Sequence, residues 1–409
     1  MPRTLYLTRN GLLEPLGQSQ VMNYLRGLAR DHTIILVTFE KPEDMADSAA
    51  MVRAREDCAA HGIDWRPRRF RRRPRLIAPA WSLAQMGAGA LWSARSGKAE
   101  LIHARSYLPA AVAWGVWRLT GTPFIFDMRA LWPEELITAG RIKRGSVLHR
   151  ALQRLERICL RDAAGVVSLT EAAVEHLQAQ YPKELAGKRT TVIPTCADLD
   201  HFKPPAELPQ ERVYGCVGTV LSGWFRVDWL AALFQQAARR DPDARCEIAT
   251  RDNPGRVRAA VQGGALTAER LAVYARTPAD MPATVQGHAV SAMLYAGGEI
   301  SELGRSPTRM GEVLGCGVPV IANVGVGDVA RIVERYNVGI LATDGSAAAM
   351  DATLDALDSL LADPDLSTRC RRAAEEVFSL ERGVAAYRAI YRRILEGADE
   401  HPLNEPTAA

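Results

Sequence analysis

A chain of 409 residues, 47% hydrophobic and 24% charged, has the make-up of a soluble globular protein and is long enough for two cores of about 200 residues each. No run approaches the roughly 18 apolar residues of a membrane span, and the first residues pass straight into a strand-like pattern, so neither a spanning helix nor a signal peptide is expected. The net charge of +4 says little by itself, and seven scattered cysteines without a C-x-x-C pair read as reduced core thiols of a cytoplasmic protein with no structural metal.

In chain order, Thr4–Thr8 reads as a strand, Asn10 to Gln18 as a glycine-containing loop, Ser19 to Arg30 as a helix and Thr33–Phe39 as a second strand. Seven arginines then fall between positions 66 and 75 (Arg66, Arg68, Arg69, Arg71, Arg72, Arg73 and Arg75), followed by an apolar stretch containing Trp81 and Trp92. Such a strip suits an anionic lipid surface, although a charge run is more often a solvated edge beside a core helix. No helix-turn-helix, RNA-recognition or zinc motif accompanies it, so nucleic acid is not expected as a partner. Leu101–His103, Phe124–Asp127 and Gly165–Leu169 are further β-rich runs, separated by helical stretches such as Ser146–Arg161.

Prolines cluster between 194 and 212, as they do in linkers, and the alternation restarts. Val213–Val217, Ala244–Thr250, Glu269–Tyr274, Ala289–Tyr295, Pro319–Ala322 and Gly339–Ala342 read as strands. Asp228–Arg240, Asp351–Leu361, Leu366–Phe378 and Leu380–Leu395 read as helices. Strand–helix alternation in both halves predicts two α/β domains, each a doubly wound parallel sheet, with ligands at the carboxyl ends of the strands. The predicted boundaries are 1–203, 204–378, a helix over 379–396 returning to the first domain, and a tail over 397–409.

The stretch richest in chemistry is Ser306-Pro307-Thr308-Arg309-Met310-Gly311-Glu312, which runs on to Val320-Ile321. Ser306 is suited to cap a helix and Pro307 to open it, which would leave the Thr308 and Arg309 amides, and the positive end of the helix, for a diphosphate. Arg309 would add a charge-assisted bond, and Glu312, one turn on, could accept from two ribose hydroxyls. A plain capped helix leading into a strand is the equally simple alternative. In the first half, Gly17 is expected to allow close backbone approach and Ser19 to cap the next helix, beside Gln18. His103, Arg105 and Tyr107 follow one strand; Asp127, Arg129, Glu134 and Glu135 follow another. Asp127 reads either as acceptor of a nucleophile's proton or as a salt-bridge partner of Arg129 or Arg105, and His103 alone is more often a core histidine than a catalyst.

The segment S-P-T-R-M-G-E-V-L-G-C-G-V-P-V-I-A-N, with V-G-V-G-D after it, resembles the donor-binding signature of glycosyltransferase family 4, whose fold is GT-B. Gly11 to Gln20, Phe126 to Glu135 and the Val192–Phe202 segment are similar to other family stretches. The first glutamate of the usual E-x7-E pattern falls at Gly304, with Glu302 nearby, and the family's G-R-L-x-x-x-K loop corresponds to Gly218, Thr219 and Arg226. The resemblance implies two Rossmann-like domains facing a central cleft, the first binding acceptor and the second binding donor. It implies a metal-independent transferase that moves a sugar, with retention, from a nucleotide-diphosphate donor to a hydroxyl acceptor on a glycan, lipid or small molecule, with no cofactor. Donor binding is then expected at Gly17, Gly218, Thr219, Arg226, Ser306, Thr308, Arg309, Glu312, Asn323 and Asp328. Catalysis is expected at Asp127, His103 and Arg129, and acceptor contact at Gln18, Ser19, Arg105, Tyr107, Glu134 and Glu135. The expected location is the cytoplasm, at the inner face of the membrane through Arg66–Arg75. A sugar-nucleotide epimerase and a non-catalytic sugar-nucleotide scaffold are the alternatives.

Overall fold

The computed structural model describes residues 1–71, 77–207 and 211–397. Three of the seven clustered arginines, Arg72, Arg73 and Arg75, and the tail from residue 398 lie outside the described residues, as does Pro209 of the proline cluster. The chain divides into two compact units, one of Met1–Ile193 with the chain from Leu380 onward, the other of Pro194–Ser379.

The first unit holds a seven-stranded sheet of β1 (Arg3–Leu7), β2 (Thr33–Glu40), β3 (Ile63–Arg69), β4 (Leu101–Arg105), β5 (Phe124–Asp127), β6 (Gly165–Ser168) and β7 (Thr190–Val192). All its pairings are parallel, in the order β3-β2-β1-β4-β5-β6-β7. The inner strands are buried on both faces, which is why they are legible as apolar runs. The edge strand β3 was not expected, because Asp64, Arg66, Pro67, Arg68 and Arg69 disguise it. An edge strand tolerates proline and charge on its open side. The chain order reverses between β1 and β4, which makes their carboxyl ends the switch point of this sheet.

The helix after β1 begins earlier than expected. It runs from Pro15 to Leu28, with a π-helical segment at Gln18–Met22. Ser19 therefore lies inside it and bonds back to the Pro15 carbonyl at 2.8 Å instead of capping it. The final helix, Leu380–Glu396, belongs to this unit: an added Cβ on Gly165 of β6 would lie 3.1 Å from Ile390, and one on Gly27 would lie 2.6 Å from Val384.

The second unit holds β8 (Val213–Val217), β9 (Arg245–Ala249), β10 (Leu271–Tyr274), β11 (Val290–Met293), β12 (Val320–Asn323) and β13 (Gly339–Ala342). The sheet is again parallel, ordered β10-β9-β8-β11-β12-β13, with its switch point between β8 and β11. Strand alternation divides its core in two: Val320 and Ala322 pack with Met310, Leu314 and Phe378, while Ile321 packs with Leu230, Phe234 and Leu357. The unit begins at Pro194, before the predicted boundary at 203. Thr195 donates its amide to the Ser306 hydroxyl and its hydroxyl to the Ser306 carbonyl, and Ala197 donates to the Phe378 carbonyl. Gly311 is required here, since a Cβ would meet Phe378 at 2.7 Å.

Candidate functional site

At the switch point of the first unit, one polar cluster draws on β1, β4, β5, the helix after β1 and the C-terminal helix. Asp127 is fully buried at the end of β5. Its Oδ2 lies 3.2 Å from His103 Nε2 and accepts from the Tyr387 hydroxyl at 3.0 Å. His103 Nδ1 lies 2.7 Å from the Tyr391 hydroxyl. A carboxylate only accepts, so the consistent tautomer has Nε2 donating to Asp127 and Nδ1 accepting from Tyr391. Burial lowers the pKa of His103 despite Asp127 beside it, and the ring stays neutral. Both of its nitrogens are thus occupied by bonds within the first unit, the arrangement of a bonded core histidine.

Arg129 Nη1 lies 3.6 Å from Asp127 Oδ1, and Arg105 Nη1 lies 3.8 Å from Oδ2. Burial would raise the Asp127 pKa, but Arg129, the His103 bond and Arg105 outweigh it and hold the carboxyl well below the usual carboxylate range. A carboxylate held so low is a weak proton acceptor, and this geometry suits holding two guanidinium groups in place. Gln20, in the π-helical segment, accepts from Arg105 at 2.9 Å and from Arg129 at 3.4 Å. Between Arg105 and the next helix stands Ser106, a non-glycine residue with φ 76° and ψ 174°, a conformation otherwise almost confined to glycine. It occupies the cap position of helix Tyr107–Thr120 without a side-chain cap bond.

Other residues expected in the first unit's site lie elsewhere or are spent locally. Tyr107 is buried and donates its hydroxyl to Glu156, which also accepts from Tyr181, so it serves the core. Glu134 is held by both terminal nitrogens of Arg144, and Glu135 is half-buried in the same short helix, Trp132–Thr138. Gln18 donates to the Leu12 carbonyl at 2.8 Å. Gly17 gives close approach to its own chain, since a Cβ would meet the Gly11 carbonyl at 2.1 Å. The loop over 11–13 is fastened by a residue that sequence reasoning missed. Glu40, fully buried at the end of β2, accepts from the amides of Leu12 at 2.7 Å and Leu13 at 3.2 Å. Thr38 also donates to it, and Trp65 donates to Thr38. A carboxylate closing an otherwise apolar strand was the available signal.

In the second unit, helix Thr308–Gly315 follows the short turn Ile300–Gly304. Its cap position is Pro307, with no side-chain cap bond; Ser306 is not the cap, because its hydroxyl accepts from Thr195. Thr308 and Arg309 open the helix, and Arg309 pairs with Glu312 one turn on. Burial raises the Glu312 pKa, with Arg309 opposing it. Arg309 keeps 36% of its side chain exposed, so a ligand can compete for it. Glu302 is fully buried and paired with Arg305, whose guanidinium lies over Trp224 in the loop after β8.

That loop differs from the expected phosphate cradle. The Gly218 amide is taken by the Ala249 carbonyl at 3.0 Å, and Thr219 is exposed. The next two amides, Val220 and Leu221, donate to one oxygen of Asp252 at 2.7 and 3.0 Å. Arg226 forms a forked pair with Asp228 and stacks over Trp229. Asn323 is no free donor either: it accepts from the Tyr295 amide and donates to the Tyr295 and Val324 carbonyls, clamping the loops after β11 and β12 together. Asp328 is half-buried at the start of helix Val329–Tyr336.

Residues 17–196 match the family described as Glycosyl transferase 4-like domain. Sucrose-phosphate synthase from Thermosynechococcus elongatus is similar over 97% of this chain and 100% of that one, at 16% identity and a TM-score of 0.72. A glycosyltransferase from Rickettsia africae is similar over 97% and 100%, at 13% identity and a TM-score of 0.71. The fold is GT-B. A third structure with it is the Anabaena protein Alr3699/HepE in complex with UDP and glucose, similar over 96% and 99% of the chains, at 16% identity and a TM-score of 0.64. No curated protein matches the chain.

Proposed function

We propose that this protein is a retaining glycosyltransferase that moves a sugar from a nucleotide-diphosphate donor, held by the second unit, to a hydroxyl acceptor held by the first. The observation that carries the reading is the glycosyl transferase 4-like match over residues 17–196 on a GT-B fold. The UDP and glucose of the Anabaena structure support a nucleotide sugar as donor. Arg309 and the opening of helix Thr308–Gly315 receive the diphosphate, and Glu312, released from Arg309, accepts from the ribose hydroxyls. Protein cations then neutralise the leaving group, with Arg226 joining from the loop after β8. In the first unit, Arg105 and Arg129 contact the acceptor, while Asp127 and His103 act as positioning residues that fix the two guanidinium groups.

The protein works on the cytoplasmic side of a membrane, docked on anionic lipid by Arg68, Arg69 and Arg71 with helix Ile77–Arg95. That helix carries no charge before Arg95 and leaves Trp81 49% and Trp92 53% exposed. Burying two such tryptophans at a lipid interface while basic residues meet headgroups is a favourable pairing. No described helix is long and apolar enough to cross a membrane.

The test is nucleotide-diphosphate release from UDP-, GDP-, dTDP- and ADP-sugars by purified protein with and without hydroxyl acceptors. Release is expected only with acceptor. Arg309→Ala and Glu312→Gln are each expected to lower kcat/KM by about 100-fold or more with an unchanged circular dichroism spectrum. Full activity in either variant would overturn the assignment of the donor site.

A further inference from the structure

Arg129 is an unusual arginine. Only 10% of its side chain is exposed, and a guanidinium is always charged. A charge this buried ordinarily has close partners. Yet its contacts are long: 3.4 Å to the Tyr387 hydroxyl, 3.4 Å to Gln20 and 3.6 Å to Asp127. Its Nε, fully shielded, has no hydrogen-bond partner among the described residues. Arg105, 6% exposed, shares Gln20 at 2.9 Å and stands 3.8 Å from the same carboxylate. Two guanidinium groups therefore face one carboxylate. The other members of the cluster, His103 and the tyrosines at 6, 387 and 391, are neutral. The cluster has one positive charge in excess. Asp127 Oδ1, 3.6 Å from Arg129 Nη1, is likewise buried without a hydrogen-bond partner among the described residues, so the carboxylate and the Arg129 guanidinium face each other without closing a hydrogen bond. Arg105 ends β4 and Arg129 follows β5, so both belong to the switch-point end of the sheet, where ligands enter such folds.

We propose that Arg129 and Arg105, braced by Gln20, form a binding site for a phosphate-type oxyanion carried by the acceptor. An oxyanion supplies the second negative charge that two guanidinium groups facing one carboxylate lack, and a planar guanidinium binds it through paired hydrogen bonds. The site deepens the transferase reading by naming a chemical class of acceptor, an anionic one bearing a hydroxyl. A soluble phosphate ester and a phospholipid headgroup present the same group.

The experiment uses the full chain without any donor, so it succeeds or fails independently of sugar transfer. Glycerol 1-phosphate is titrated calorimetrically, and phosphatidylcholine vesicles containing phosphatidic acid are titrated separately, into wild type, Arg129→Gln and Gln20→Ala. Gln20→Ala removes a neutral brace and keeps the test informative if Arg129→Gln does not fold. Affinity for at least one probe is expected to fall about tenfold or more in Arg129→Gln and several-fold in Gln20→Ala. Dependence with glycerol phosphate identifies a soluble ester as the source; dependence confined to vesicles identifies the lipid. Wild type binding neither probe, or both variants binding as wild type does, would overturn the site.

Discussion

The two sheets share one strand order over six strands, and in each the loop after the first strand is fastened by a carboxylate at or just past the end of the second. Glu40 holds the Leu12 and Leu13 amides in one unit; Asp252 holds the Val220 and Leu221 amides in the other. In both, the backbone amides of that loop already have an internal anion, so the anion binding proposed for each unit rests on side-chain cations. There the units part. Asp127, Arg105 and Arg129 are 10% exposed or less, a preorganised constellation sunk into the fold. Arg309 and Arg226 are 36% and 39% exposed, paired with carboxylates a ligand can displace. Buried pairs of the first kind hold geometry at a cost in desolvation, whereas exposed pairs of the second kind contribute little stability and are free to re-pair.

This contrast can be broken most forcefully at Asp127. Asp127→Asn leaves two buried guanidinium groups without their carboxylate and is expected to destabilise the first unit by about 3 kcal/mol at pH 7. The folded pKa is depressed, so the carboxylate's contribution is fully present above the unfolded value, about 3.9, and is lost as pH falls below it. The gap between wild type and Asp127→Asn in denaturant titrations should therefore narrow below about pH 4; a gap independent of pH would show that charge is not its source.

The next largest effect is expected at Glu40. Glu40→Ala strands two amides and the Thr38 hydroxyl in a buried setting, a loss of about 2 to 4 kcal/mol, while Asp252→Ala at its half-buried counterpart costs about 1 kcal/mol. Hydrogen exchange at Leu12 and Leu13 against Val220 and Leu221 reads the difference directly, and equal loss of protection would remove the distinction between the units. The smallest effect has the opposite sign. Ser106→Gly relieves a backbone that favours glycine and is expected to stabilise the protein by about 1 kcal/mol in thermal unfolding. No gain would mean that the surrounding contacts of Ser106 already offset its strain.

Much of the fold was legible because inner parallel strands are continuous apolar runs, as Leu101–Arg105 and Val320–Asn323 are. The edge strands Ile63–Arg69 and Thr190–Val192 were not, because arginine, proline and threonine fill positions that need no burial. In the second unit, the helix opening at Thr308, with Glu312 one turn beyond it, was legible because its signals are local in sequence. Gln20, Glu40, Asp252, Tyr387 and Tyr391 were not, because the partners that give them their roles stand 27 to 288 positions away. Residue preference favours Ser306 as the cap, but Thr195, 111 positions distant, claims its hydroxyl instead.

The most direct measurement of the proposed activity is nucleotide-diphosphate release from a sugar donor in the presence and absence of a hydroxyl acceptor. Release that requires acceptor and disappears in Arg309→Ala is the expected result. Turnover of the donor to a stable isomer without acceptor, or undiminished release by Arg309→Ala, would contradict it.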